Sequence, residues 1–135
     1  MSQATGIIDL EKLFHRSKDR IRCLGEVFTP ESYVEDILNL LAKDKRGLWS
    51  DEDISFFEPC SGHGNIVLPI YKRRLEGLYK KAIAQGLNRN SSEASYYAVA
   101  NALNTLWAID IDKKNVENCR SRVLQSTLDF LKLKL

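Results

Sequence analysis

At 135 residues the chain has the size of one compact domain and leaves little room for a second full one. Apolar residues make up 44% and charged residues 28%, with 7 Gly and 3 Pro, a globular composition that excludes collagen-like, low-complexity and disordered classes. Lys and Arg total 20 against 18 Asp and Glu, and the resulting +2 falls short of a dedicated nucleic-acid binder, so charge alone names no partner.

Residues 1–24 carry Ile7, Ile8, Leu10, Leu13, Phe14 and Ile21 among charges and read as an amphipathic helical extension. In GEVFTPESYVEDILNLLAK, Thr29 suits a helix cap and Pro30 the first helical position. Glu31, Glu35 and Asp36 place negative charge near the positive end of the dipole. Val34, Ile37, Leu38 and Leu41 follow an i, i+3, i+4, i+7 spacing and predict one buried face. Ile54 to Glu58 is a short apolar run with β-branched and aromatic residues, stopped by Pro59, and predicts a buried strand. Ser61-Gly62-His63-Gly64-Asn65 is a tight polar turn, and residues 66–84 read as a helix with Pro69 in its first turn.

Gly86 to Ser92 reads as a loop, followed by a helix from about Glu93 to Leu106 with Tyr96, Val99, Ala100 and Leu103 as its apolar face. Tyr96, Tyr97 and Trp107 are expected in the core. LWAIDI predicts a second buried strand ending at Asp110, and Asp112 can cap a last amphipathic helix through Val116, Cys119, Val123 and Leu124. The terminal FLKLKL alternates with period two and is open between helix and strand. Lys72, Arg73, Arg74, Lys80, Lys81 and Arg89 face the single acid Glu76 in their stretch and are expected on a solvated helix face.

The longest uncharged stretch, Ala94 to Ile109, is too short and polar to span a bilayer, so no membrane partner is expected. The N-terminus lacks a cationic start, an apolar h-region and a cleavage site, which predicts a cytoplasmic protein. Cys23, Cys60 and Cys119 are odd in number and scattered, and His15 and His63 have no ligand neighbour at metal spacing. Neither a disulfide framework nor a metal site is expected.

Strand, Gly-x-Gly turn, helix and a second strand ending in an acid describe the start of a Rossmann-like nucleotide site. The dinucleotide fingerprint requires a third Gly or Ala where Val67 stands, and an acid about twenty residues on, whereas Asp110 lies far beyond. A pyrophosphate-binding NAD site is therefore disfavoured. Glu58 at the first strand tip would repel a pyrophosphate but suits an ammonium group, and Asp110 at the second tip suits both hydroxyls of a ribose. S-adenosylmethionine carries an amino acid at one end and a nucleoside at the other, and fits both acids.

GEVFTP, EPCSGHGN and AIDID, in this order, resemble the cofactor motifs of the N6-adenine DNA methyltransferases of restriction-modification systems. The resemblance covers residues 24–124, with residues 72–105 as a variable helical insert. It implies that Phe28, Thr29 and Pro30 line the methionine end. It also implies that Glu58, Pro59, Gly62 and Gly64 belong to the cofactor loop, that Asp110 takes the ribose, and that Ile111 lies beside the adenine ring. The implied fold is α/β, a Rossmann-like S-adenosylmethionine-dependent methyltransferase domain. The implied substrate is DNA.

The family's catalytic motif, Asn or Asp followed by Pro-Pro and an aromatic, is absent from these residues, as is a target-recognition domain. Two parallel strands with helical crossovers also leave unpaired edges. The expectation is a partial domain of about two parallel strands with flanking helices. Its sheet would be completed by further sequence, by a homodimer or by a second subunit. A non-catalytic assembly module derived from a methyltransferase is the alternative.

Overall fold

The computed structural model describes residues 29–86 and 91–135. The N-terminal helical extension, Phe28, Cys23, His15 and Arg89 lie outside the described residues. The element order is α1 (Glu31–Asp44), β1 (Phe56–Glu58), α2 (Val67–Gln85), α3 (Ser91–Asn104), β2 (Leu106–Ala108) and α4 (Lys113–Lys134). The architecture is mixed α/β and mostly helical. β1 and β2 form a two-stranded parallel sheet in the register Phe56 to Leu106, Phe57 to Trp107 and Glu58 to Ala108.

Helix α1 begins one residue later than its sequence predicts. Pro30 is the cap residue, with φ −59° and ψ 149°, and no side chain caps the helix. The Pro30 carbonyl accepts from the Tyr33 and Val34 N–H groups, each at 3.1 Å, so Thr29 has no capping role. Val34 and Leu38 are buried, whereas Ile37 and Leu41 are exposed, because α1 meets the rest of the fold along a narrow line against α2. At the other end of the chain, Asp112 does cap α4, accepting from the Lys114 N–H at 2.9 Å.

FLKLKL is helical. Phe130 is buried with its ring edge-on to Tyr79 at 5.9 Å. Lys134 lies over both rings and pairs with Glu76 at 3.3 Å, so α2 holds the end of α4 in place against its period-two pattern.

Two apolar clusters meet at Leu106. In one, Tyr71, Leu75 and Leu78 of α2 pack against Ala98 and Ala102 of α3 and Phe130 of α4. In the other, Val34, Leu38 and Ile70 pack with Phe56, Trp49 and Ile66. Residues 72–105 thus supply much of the principal core. The face of α3 turned inward is Ala94, Ser95, Ala98 and Ala102, and small side chains let it approach α2 closely. Tyr96 and Leu103 point outward instead, which corrects the face expected from their spacing.

Neither strand is buried on both faces as their apolar runs predict. Helices cover the side carrying Phe56 and Leu106. Phe57 and Trp107 alternate to the opposite side and are 63% and 62% exposed. Trp107 therefore lies outside the core, and β2 ends at Ala108 rather than Asp110.

The basic stretch on α2 does not form one solvated face. Arg74 is fully buried. Its guanidinium donates to the carbonyls of Asp51 at 2.6 Å and of Leu48 and Ile54 at 3.3 Å, and to the Thr105 hydroxyl at 2.9 Å. Burial pushes its pKa down, opposed by the carboxylates of Asp51 and Glu52. It also lies over the Phe56 ring at 5.4 Å, and so ties the irregular 48–54 segment to α2 and the start of β2. Arg73 pairs with Glu35 of α1 and stacks on Trp49, and Lys81 pairs with Glu52. Lys72 and Lys80 are exposed.

Candidate functional site

Parallel pairing places the ends of β1 and β2 side by side, so Glu58 and the chain leading to Asp110 leave the same end of the sheet. The turn that follows β1 is stitched to the end of β2. Ile109 N–H donates to the Glu58 carbonyl at 3.0 Å, and Ser61 N–H donates to the Ile109 carbonyl at 2.9 Å. Ser61, Gly62, His63 and Gly64 are all buried. Pro59 and Cys60 form the exposed outer rim.

Asp110 organises this turn. Its Oδ2 accepts from the Gly62 N–H at 2.9 Å. Its Oδ1 accepts from the Asp112 N–H at 2.8 Å and from Asn115 Nδ2 at 3.3 Å. A carboxylate offers about four acceptor directions, so these three donors leave capacity for about one ligand hydroxyl. Glu58 is half-buried, and its Oε1 accepts from the Cys60 N–H at 2.9 Å, which leaves acceptor capacity on this carboxylate too.

The two glycines serve different ends. Gly62 has φ 55°, which turns its N–H onto Asp110. Gly64 has φ 102°, and a Cβ there would lie 2.7 Å from Leu68 Cδ2 and 3.0 Å from Cys119 Sγ. Gly64 thus lets the turn sit directly on α2 and α4. Its N–H donates to the Ser61 carbonyl at 3.0 Å. The Ser61, Gly62 and Gly64 N–H groups are all engaged within the protein, as are the carbonyls of Ser61, His63 and Gly64, so what this end of the sheet offers a ligand is the spare acceptor capacity of Glu58 and Asp110 rather than a row of free donors.

The other expected residues fall around this turn. The Thr29 carbonyl accepts a long hydrogen bond from Asn65 Nδ2 at 3.5 Å, which brings the segment of Thr29 and Pro30 beside the glycine turn across 36 residues of sequence. Ile111 follows Asp110 and is 92% exposed. Among the described residues no group of three or more His, Cys, Asp or Glu is placed to hold a metal ion.

Three residues that the sequence did not assign to the site hold it together. Asn115, 2% exposed, steadies Asp110 from the first turn of α4. Arg122 Nη1 lies 2.9 Å from both the His63 carbonyl and His63 Nδ1, clamping the back of the turn. Cys119 is buried under Gly64. Burial pushes its thiol pKa up, with Arg122 opposing and Asp110 adding to the rise. Asn115, Cys119 and Arg122 all lie on α4, and only their position after an Asp-x-Asp pair hinted at a shared role.

Comparison with protein-family models, with curated proteins and with solved structures returns no match. Among the described residues, no helix is long and apolar enough to cross a membrane.

Proposed function

We propose that the chain is the S-adenosylmethionine-binding portion of an adenine-N6 DNA methyltransferase with a Rossmann-like fold. The observation that carries this reading is the pair of strand-end acids with spare acceptor capacity beside a turn whose main-chain donors are engaged. Pyrophosphate seeks free backbone donors at a glycine turn, and here those at Ser61, Gly62 and Gly64 are engaged internally. A cationic ligand seeks the reverse, and the carboxylates of Glu58 and Asp110 supply it.

In this reading Glu58 holds the ammonium group, Asp110 takes one ribose hydroxyl, and exposed Ile111 gives the adenine ring an apolar surface. Thr29 and Pro30 border the methionine end. When bound, the cofactor supplies an electrophilic methyl on its sulfonium. The protein's part is to fix that methyl in line with an incoming amine. The Asn/Asp-Pro-Pro-aromatic loop and the DNA contacts would come from outside these residues.

The bare sheet face of Phe57 and Trp107 favours a second reading, a non-catalytic module completed by a partner subunit. Calorimetric titration with S-adenosylmethionine, S-adenosylhomocysteine and NAD tests the first. Selective binding, tighter for the charged sulfonium than for the homocysteine analogue, is expected. Binding of NAD alone, or none by a folded chain, would overturn it. Asp110→Ala is expected to lower affinity about tenfold or more, since a hydrogen bond to a charged group contributes roughly 1.5–3 kcal/mol.

A further inference from the structure

His63 stands between Gly62 at φ 55° and Gly64 at φ 102°. Glycine takes positive and negative φ about equally readily, so the turn has a pivot on either side of one side chain, and ordering such pivots costs more entropy than ordering other residues. The Gly62 N–H that Asp110 holds rides on the first pivot. What locks both is the grip on the residue between them. Arg122 Nη1 lies 2.9 Å from the His63 carbonyl and 2.9 Å from His63 Nδ1, with a longer bond to Asn65 Oδ1 at 3.4 Å. One guanidinium nitrogen thus holds the ring and the main chain of His63 together.

A guanidinium has donors only, so the ring nitrogen facing it accepts. A neutral imidazole carries one proton, which therefore sits on Nε2. A proton on Nδ1 would set N–H against N–H and bring a second positive charge beside the first. His63 is 9% exposed, and Arg122 reaches it from an exposed position on α4. Asn115, Cys119 and Arg122 fall at i, i+4 and i+7 on one stripe of that helix and meet Asp110, Gly64 and His63 in that order. Of the three, Arg122 is the one that holds the residue between the pivots.

We propose that Arg122 is a positioning residue for Asp110, acting through a neutral His63 protonated on Nε2. With the pivots locked, the Gly62 N–H stays on Asp110 Oδ2, and the remaining acceptor direction of that carboxylate stays aimed at a ligand hydroxyl. Without the lock, Asp110 loses one of its three donors and its aim. The inference rests on the cofactor reading only for the ligand of its binding arm, because the tautomer and the turn are measured on the unliganded chain.

The test uses the full chain, isotope-labelled for NMR. At neutral pH the ring-nitrogen shifts of His63 should show Nδ1 unprotonated and Nε2 protonated, and hydrogen exchange should show the Gly62 amide protected. Arg122→Ala removes an exposed side chain, so the thermal transition should stay in place. Exchange at Gly62 should nevertheless accelerate by about tenfold or more, and calorimetric affinity for S-adenosylmethionine should fall by about the same factor. His63→Asn keeps an acceptor near the position of Nδ1 in a smaller side chain, whereas His63→Leu keeps the volume without the acceptor. Asn should hold Gly62 protection and affinity within about twofold of wild type and Leu should lose both, the reverse of what space-filling alone predicts.

A proton on Nδ1 overturns the proposal. So do unchanged Gly62 exchange and affinity in folded Arg122→Ala, and so does a Leu variant that outperforms Asn. Should the tautomer and exchange results hold while wild type binds no S-adenosylmethionine, the cofactor reading falls and the locking of Asp110 by Arg122 stands.

Discussion

Gly64→Ala tests whether the glycine turn is seated by packing or only by its ligand chemistry. The added methyl meets Leu68 Cδ2 at 2.7 Å and Cys119 Sγ at 3.0 Å, and φ 102° is a conformation that L-residues rarely adopt. Backbone strain of this kind costs roughly 1–3 kcal/mol, and overpacking a core roughly 1–3 more. Reduced freedom of the unfolded chain returns about 0.4–1 kcal/mol. A net loss of about 3 kcal/mol is expected. Unfolding entropy near 2.1 cal/mol/K per residue amounts to about 0.28 kcal/mol/K for 135 residues, so Tm should fall by about 10 °C.

The assay is urea and thermal unfolding of wild type, Gly64→Ala, Cys119→Ala and the double variant. Cys119→Ala deletes the sulfur that the new methyl meets, at a cost of about 1 kcal/mol for a small buried group. In the double variant the sulfur clash is gone and only the flexible end of Leu68 must move. The double loss should therefore fall short of the sum of the single losses by about 1 kcal/mol or more. Strict additivity, or a Gly64→Ala Tm equal to wild type, would refute the packing role.

Four further perturbations read other parts of the same framework. Gly77→Ala would place a Cβ 2.5 Å from the Trp49 carbonyl oxygen, so thermal scans should show a loss of about 1–3 kcal/mol where a mid-helix Gly→Ala change ordinarily stabilises. Arg74→Met should cost about 3 kcal/mol or more in urea unfolding, because it strands the carbonyls of Leu48, Asp51 and Ile54. Asp110→Asn can keep one acceptor but turns an amide toward either Gly62 or Asp112, so hydrogen exchange at one of those two amides should accelerate by about tenfold or more. Thr127 donates its hydroxyl hydrogen to Val123, so Tyr71 must be the donor in their 2.5 Å bond, and burial raises the Tyr71 pKa above 10.0. A raised phenol contributes stability that is complete below its ordinary value and is lost as pH rises through the folded one, so Tyr71→Phe should flatten the alkaline limb of a stability–pH curve.

Local order was legible wherever one short-range cause dominates. Asp112 has no competitor for the α4 cap, and Ser61 to Asn65 can form little but a turn between a strand and a helix. Burial was less legible, because it depends on what lies across from a face. Phe57 and Trp107 read as core from their apolar runs, yet the described helices cover only one side of the sheet. On α3 the large side chains at Tyr96 and Leu103 drew the expected face, but α2 approaches along the alanines because close packing favours the smaller stripe. Arg74 shows the same limit in reverse. Nothing in a run of six basic residues marks the one whose guanidinium meets three main-chain carbonyls.

The motif spacing marked the glycine turn and the two strand-end acids, but which of their polar groups are already engaged emerged only from the hydrogen bonds. A Gly-x-Gly turn alone is equally suited to present donors to a phosphate. Here Asp110 reaches back 48 residues to hold the Gly62 N–H. That bond both fixes the turn and removes one of the donors a phosphate would need. In the proposed reading, the acid assigned to the ribose is thus also one reason the turn suits a phosphate poorly. The two roles separate experimentally: a change at Asp110 that preserves the turn, as judged by exchange at Gly62, should lower nucleoside affinity alone. One that releases Gly62 should also weaken the preference for sulfonium over the neutral thioether.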